Sequence, residues 1–172
     1  MLTLVTGGAA CGKSEYAESL FAGIEGTLYY AATMHRAPDN ETQERIRRHR
    51  MMRAGKGFIT LEQETDIGSL PIEKAGGIIV ECMSNLLANE MFDEKRKNVV
   101  SFILEGIDRL CEKCHNIVLV TIESGMDGIG YDAFTNEYIV KMGQLNTALA
   151  KRADRVVEVV YSIPVCIKGV LE

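Results

Sequence analysis

The sequence predicts an α/β fold in which a largely parallel sheet is flanked by helices and a C-terminal hairpin makes one edge mixed. Three observations predict it. Short apolar runs alternate with stretches of helical periodicity through the 172 residues, the order that parallel strands with crossover helices require. The first run leads into Gly7-x4-Gly12-Lys13-Ser14 and then a helical pattern, the strand, loop and helix order of a P-loop. The last two runs are separated only by Tyr161-Ser162, too short a link for a crossover, so they turn back on each other.

Leu2 to Val5 is the first strand, and Thr6, Gly7, Gly8, Ala9, Ala10, Cys11, Gly12, Lys13 and Ser14 follow it. Glycines in such a loop let backbone N–H groups curl around phosphate oxygens without side-chain clash. The helix N-terminus adds its positive dipole end. Lys13 supplies a mobile cation for the β/γ-phosphates, and the Ser14 hydroxyl is a ligand for the Mg2+ that accompanies them. The loop from Gly7 to Ser14 is therefore expected to bind a nucleoside triphosphate, ATP or GTP. A chance glycine-bearing turn is the plainer account, and the flanking strand and helix argue against it. The motif serves many reactions and names none of them.

Composition narrows the class. An apolar fraction of 47% with 25% charged residues is that of an ordinary globular protein, and residues 1–172 are expected to form a single domain with one substantial core. No stretch has the apolar length of a membrane span. The N-terminus runs directly into the first strand without the charged, apolar and small-residue order of an export signal, which predicts a cytoplasmic protein. A formal net charge of −5 argues against a nucleic-acid binder. Five cysteines, an odd number, make a disulfide framework a poor reading.

The remaining elements follow in order. Tyr16, Ala17, Leu20 and Phe21 recur at helical spacing over residues 15–22, and Gly23 and Gly26 end that helix. Thr27 to Thr33 is a buried strand. Asn40 caps the next helix, with Gln43 three residues on completing a capping box, and arginines crowd its C-terminal end. Gly57 to Leu61 is a short strand, Ile67 to Lys74 a turn-rich connection or short helix, and Gly77 to Cys82 a buried strand carrying the acid Glu81. A helical region runs to about Cys114 with a break near Phe92 and Asp93. Asn116 to Thr121 is another strand, and Glu123 to Thr135, rich in glycine and aspartate, is an irregular loop. Asn136 to Ala153 reads as a helix, and Arg155–Val160 with Ile163–Lys168 as the final pair of strands.

Candidate chemistry beyond the loop is sparser. If residues 41–54 are helical, Arg45, His49 and Arg53 share one face. Arginines there disfavour a protonated imidazole and neutralise triphosphate oxygens, as a nucleophilic histidine requires. The same residues also fit a solvated basic helix end whose histidine answers the dipole, and on their own they favour that plainer reading. Glu81 at a strand end resembles an acid that supports magnesium, since ligands gather at strand C-termini in open α/β sheets. Glu62, an acid after a short strand, is unremarkable by itself. Cys111-Glu112-Lys113-Cys114-His115 spells a haem-attachment pattern, yet it lies where a helix gives way to a strand, and a redox C-x-x-C opens a helix instead. Cys11 and Cys82 read as small fillers, and Met51 and Met52 as packing.

Together these stretches resemble one family, the bifunctional adenosylcobinamide kinase and adenosylcobinamide-phosphate guanylyltransferase. The resemblance rests on Val5-Thr6-Gly7-Gly8-Ala9 before Gly12-Lys13-Ser14, on Tyr30-Ala31-Ala32-Thr33, and on Arg45-Ile46 with His49-Arg50. It continues through Phe58 to Glu62, Val80-Glu81-Cys82, Ser84, Asn89, Gly143 and Leu145-Asn146. It implies a P-loop NTPase fold and two reactions: phosphorylation of adenosylcobinamide, then GMP transfer from GTP to adenosylcobinamide phosphate through a guanylylated histidine, His49 by position. The implied nucleotide contacts are the loop, Thr33, Arg50, Met51, Met52, Arg53, Glu62 and Glu81. Lys13 joins His49 as catalytic, and Ser14 and Glu81 are the implied magnesium ligands. A homo-oligomer, commonly a trimer, is implied as well. The chain departs from the family pattern at Ile122-Glu123-Ser124-Gly125 and Met126 to Tyr131, where Asn-Glu-Val-Gly and Gly-Ile-Val-Pro are usual. A kinase without guanylyl transfer and a regulatory nucleotide switch are the other readings.

Overall fold

Seven of the predicted apolar runs are strands: β1 (Leu2–Thr6), β2 (Leu28–Ala32), β3 (Phe58–Glu62), β4 (Ala75–Glu81), β5 (Cys114–Val120), β6 (Arg155–Val160) and β7 (Ile163–Lys168). The helices are α1 (Lys13–Ser19), α2 (Met83–Phe92), α3 (Val99–Lys113) and α4 (Ala133–Arg152), with a 3-10 turn at Ile67–Ser69. This computed structural model describes residues 1–35, 44, 47, 51, 55–125 and 130–171. The capping box at Asn40 and Gln43 lies outside the described residues. Of the helix expected over 41–54, Glu44, Arg47 and Met51 are helical and exposed.

One sheet holds all seven strands in the order β3-β2-β4-β5-β1-β6-β7. Six run parallel, and β7 returns antiparallel to β6, as a two-residue link dictates. The mixed edge is therefore present. Tyr161 (φ 49°) and Ser162 (φ 64°) both take the left-handed conformation, whose twist matches that of the flanking strands.

Alternation along the strands divides the core in two. Leu2, Leu4, Ile78, Val80, Ile117, Leu119 and Val156 face one side, where α2, α3 and α4 bring Leu86, Ile103, Ile107, Leu110, Leu145 and Leu149. Val5, Ile79, Val118, Val120 and Val157 face the other, against Ala17 and Phe21 beside α1. Each fully buried aliphatic side chain contributes about 1.5–3 kcal/mol of transfer free energy.

Boundaries moved where local hydrogen bonding outweighed periodicity. The last helix begins at Ala133, three residues before the expected Asn136. Asp132 accepts from Phe134 N at 2.9 Å, Thr135 N at 3.0 Å and the Thr135 hydroxyl at 2.8 Å, forming an N-cap that the surrounding glycine and aspartate had hidden. Those bonds, the Thr135 N–H first, hold the Asp132 carboxyl below the usual carboxylate range. The first helix ends at Ser19 where residue 22 was expected. Phe21 N and Ala22 N bond back three residues, to Glu18 O and Ser19 O at 3.1 Å each, which tightens the exit into a 3-10 turn.

Cys111 lies in the last turn of α3 and Cys114 opens β5, so the C-x-x-C-H stretch does straddle a helix end and a core strand. Burial pushes the Cys111 thiol up and the Cys114 thiol up to about 11. Neither is the low-pKa thiolate that redox or haem chemistry uses.

Candidate active site

Parallel strands that share a sheet end on the same edge, and here that edge gathers Thr6, Ala32, Glu62, Glu81, Val120 and Val160. The phosphate loop leaves β1 at this edge and enters α1 at Lys13. Two positions in it demand glycine. Gly7 and Gly12 have φ of 147° and 94°, and a Cβ would fall 2.5 Å from Val159 O at the first and 2.6 Å from Ser162 Oγ at the second. The contact at Gly12 shows that the β6–β7 turn packs against the loop. Ser162 N also donates to Cys11 O at 2.8 Å.

Lys13 Nζ donates to Gly8 O at 2.6 Å, which keeps the ammonium folded over the loop. Ser14 Oγ donates to Glu81 Oε1 at 2.5 Å. Because β5 separates β1 from β4, the two strand ends stand about 9.6 Å apart by ordinary strand spacing. The first turn of α1, lying over that gap, brings the hydroxyl to the acid. Burial raises the Glu81 carboxyl above its usual range, and the nearby Glu18 carboxylate adds to this, while the Ser14 hydroxyl and the Lys13 cation oppose it.

These groups open onto a cleft of about 860 Å³ lined by the whole loop from Gly7 to Ser14 and by Glu18, Glu81, Ser84, Glu123 and Tyr138. Its size is that of a small-molecule site. Glu18 and Tyr138 were not singled out from the sequence. Glu18 stands four residues after Ser14, on the same helix face, and this spacing was the available signal. It is buried and paired with Lys56 Nζ. Tyr138 arrives on α4, and its hydroxyl donates to Ser84 O at 3.3 Å. A single tyrosine in an amphipathic helix carries no comparable signal.

The other expected residues are placed differently. Thr33 is fully buried and does not line the cleft. Its N–H donates to Glu81 O at 2.9 Å, its hydroxyl donates to Cys82 O at 2.9 Å, and the hydroxyl oxygen accepts from Cys82 N at 2.7 Å. Asn89 Nδ2 in turn donates to Thr33 O at 2.9 Å and Glu64 O at 2.8 Å. Buried bonds of this kind contribute about 1 kcal/mol each, and this set fixes the backbone behind Glu81. Glu62 aligns with Ala32, which aligns with Glu81 on its other side. That puts the backbones of the two acids about 9.6 Å apart across the sheet. Met51 is exposed. His49, Arg50, Met52 and Arg53 lie outside the described residues.

A glycine loop at a strand-to-helix turn, with a first-turn hydroxyl bonded to a strand-end carboxylate, defines a P-loop nucleotide-binding protein. Comparison with known sequences makes the class particular. Residues 3–167 match the family described as Cobinamide kinase / cobinamide phosphate guanyltransferase. The chain is 30% identical over 172 residues to the bifunctional adenosylcobalamin biosynthesis protein CobP of Pseudomonas aeruginosa, covering 98% of each. It is 29% identical over 184 residues to the bifunctional adenosylcobalamin biosynthesis protein CobU of Escherichia coli, covering 98% of this chain and 100% of that one. The CobU protein of Salmonella typhimurium is similar to the same extent. The chain belongs to the cobinamide kinase and cobinamide phosphate guanylyltransferase family, whose members are nucleotide-dependent transferases.

Proposed function

We propose that this chain phosphorylates adenosylcobinamide with ATP or GTP and then transfers GMP from GTP to adenosylcobinamide phosphate through a guanylylated His49. The observation that carries the reading is the Ser14–Glu81 hydrogen bond at the mouth of the phosphate loop, in a chain that matches the family along nearly its whole length.

In the first reaction the loop amides and Lys13 hold the β- and γ-phosphates, and the acceptor hydroxyl attacks the γ-phosphorus as nucleoside diphosphate leaves. In the second, a neutral ring nitrogen of His49 bonds to the α-phosphorus of GTP, and the bond to the bridging oxygen breaks to release pyrophosphate. A phosphate oxygen of the acceptor then attacks the same phosphorus, the P–N bond breaks, and the imidazole is restored. Arg50 and Arg53 neutralise charge as it shifts toward pyrophosphate.

The donor set at Ser14 and Glu81 fits Mg2+, since a hydroxyl and a carboxylate are the hard oxygens this ion takes. Ser14 and Glu81 are the residues to hold it, and bound there it neutralises phosphate charge. Thr33 and Glu62 act around this centre as the family resemblance implies, Thr33 through the backbone of residues 81–82.

The whole chain, 1–172, works as one unit, in the cytoplasm, where nucleoside triphosphates are supplied. It assembles with copies of itself, as a trimer by resemblance. The exposed apolar face of β7, with Ile163 at 65%, Val165 at 46% and Ile167 at 61% exposure, supports an assembly of some order. Light scattering at a single chain mass is the result that removes it.

The function is tested with purified protein, adenosylcobinamide and GTP labelled at the α-phosphate. The expected result is acid-labile label on the protein, followed by adenosylcobinamide-GDP and pyrophosphate. The departure of residues 122–131 from the family pattern favours one second reading, a kinase alone. Phosphorylated corrinoid without any protein label selects it.

A further inference from the structure

Beside the nucleotide cleft lies a second hollow, of about 220 Å³, between the end of α2 and the start of α4. Its walls combine aromatic and cationic side chains. Phe134, in the first turn of α4, is 62% exposed. Phe92 supports one side of its ring, with centroids 4.4 Å apart and planes inclined by 24°, which leaves the outer face to solvent. Phe92 is also 6.1 Å from the ring of Tyr138, and Tyr138 lines the nucleotide cleft. Three aromatic rings thus lead from the phosphate site to the hollow.

Lys95, Lys97 and Lys141 border this platform, and Glu137 is the acid among the described lining residues. Arg96 is already engaged: its Nε donates to Glu90 Oε2 at 2.7 Å, and its guanidinium sits 3.6 Å from the Phe102 ring centroid. None of the three lysines makes an ion pair within the described residues. An open aromatic face bordered by uncommitted N–H donors, in a hollow of this size, suits an apolar edge set with hydrogen-bond acceptors. The rim of a corrin macrocycle, where methyl groups alternate with amide carbonyls, is such an edge, and the arm that carries its reactive hydroxyl or phosphate has to reach the bound nucleotide.

We propose that this hollow docks one edge of the macrocycle of the corrinoid acceptor. The methyl-bearing rim lies against Phe134, Lys95, Lys97 and Lys141 donate to its amide carbonyls, and the arm passes Phe92 and Tyr138 into the cleft. This rests on the transferase reading above and adds a location for the acceptor to it. Because the macrocycle is common to both acceptors, the surface serves both reactions alike.

Phe134→Ala removes the platform, and the side chain is exposed enough for the fold to survive. The expected result is a KM about tenfold higher for adenosylcobinamide and for its phosphate, the size of one lost apolar contact with a phenyl ring. kcat, the KM for GTP and label uptake from GTP stay within about twofold, because the nucleotide half of the reaction does not use this surface. Phe134→Trp restores the acceptor KM. Lys97→Ala and Lys141→Ala each raise it about twofold, the loss of one exposed hydrogen bond.

An unchanged acceptor KM in Phe134→Ala, with normal label uptake, overturns the proposal. A rise for the phosphorylated acceptor alone makes the hollow a phosphate site and also overturns it. So does a rise in the KM for GTP, which makes it a second nucleotide site. Wild-type protein that turns over neither corrinoid refutes the proposed function. Equilibrium dialysis against the coloured corrinoid still reads the docking directly in that case, and equal binding by wild type and Phe134→Ala refutes the docking separately.

Discussion

His49→Ala is expected to abolish acid-labile labelling by α-labelled GTP, by about 10³-fold or more, while phosphorylation of adenosylcobinamide stays within about twofold. The two activities separate because they use different atoms of the nucleotide. In the proposed reaction, transfer of the γ-phosphate draws on the loop amides, Lys13 and the hydrogen-bonded Ser14–Glu81 pair, and none of these is altered. The proposed guanylyl transfer uses the His49 ring nitrogen as nucleophile at the α-phosphorus. A phosphoramidate hydrolyses in acid, so acid lability of the label reports the P–N bond itself. Label persisting in His49→Ala moves the acceptor to another residue, and loss of both activities shows that the side chain also serves nucleotide binding.

Glu81→Gln is expected to lower both activities by about 10²–10³-fold, the effect of losing one charged group from phosphoryl-transfer machinery. The same change should raise the stability of the nucleotide-free protein at neutral pH. Burial holds the folded Glu81 carboxyl above its ordinary value of 4.5. Between that value and the raised folded one the native state binds more protons than the unfolded chain, so stability falls as pH rises across the window. The stabilisation is complete below the ordinary pKa and lost above the folded one. Glutamine is neutral at every pH and keeps an oxygen for the Ser14 hydroxyl, which removes this decline. Urea midpoints measured from pH 4 to 8 should therefore show a fall in wild type that is absent in Glu81→Gln. Parallel curves for the two proteins would refute the buried-charge account, and undiminished activity would remove Glu81 from the site.

Much of this architecture was legible because its signals are local. The Gly7 to Ser14 loop needs glycine where φ is positive and an apolar strand before it, and both are written in consecutive residues. The turn at Tyr161-Ser162 was readable for the same reason: two residues cannot span a crossover. The assembly of the site was less legible. That Ser14 meets Glu81 follows from the strand order, in which β5 enters between β1 and β4, and no local pattern encodes that insertion. Thr33 and Glu62 end neighbouring strands in the sequence pattern, yet the sheet buries Thr33 behind Glu81 and sets Glu62 two strands away. The aromatic series of Phe92, Phe134 and Tyr138 joins two helices some 40 residues apart in the chain, and hydrophobic periodicity treats each ring as ordinary packing.

The contact between Ser162 and the backbone of Cys11 has a consequence for the order of events during synthesis. The phosphate loop is made well before the strand pair that packs against it, since β6 and β7 lie about 140 residues further along the chain. Until that pair emerges, the loop lacks the Ser162 N–H bond to Cys11 O. A chain stopped before β6 is therefore expected to hold a triphosphate more weakly than residues 1–172, which a nucleotide titration of the two checks.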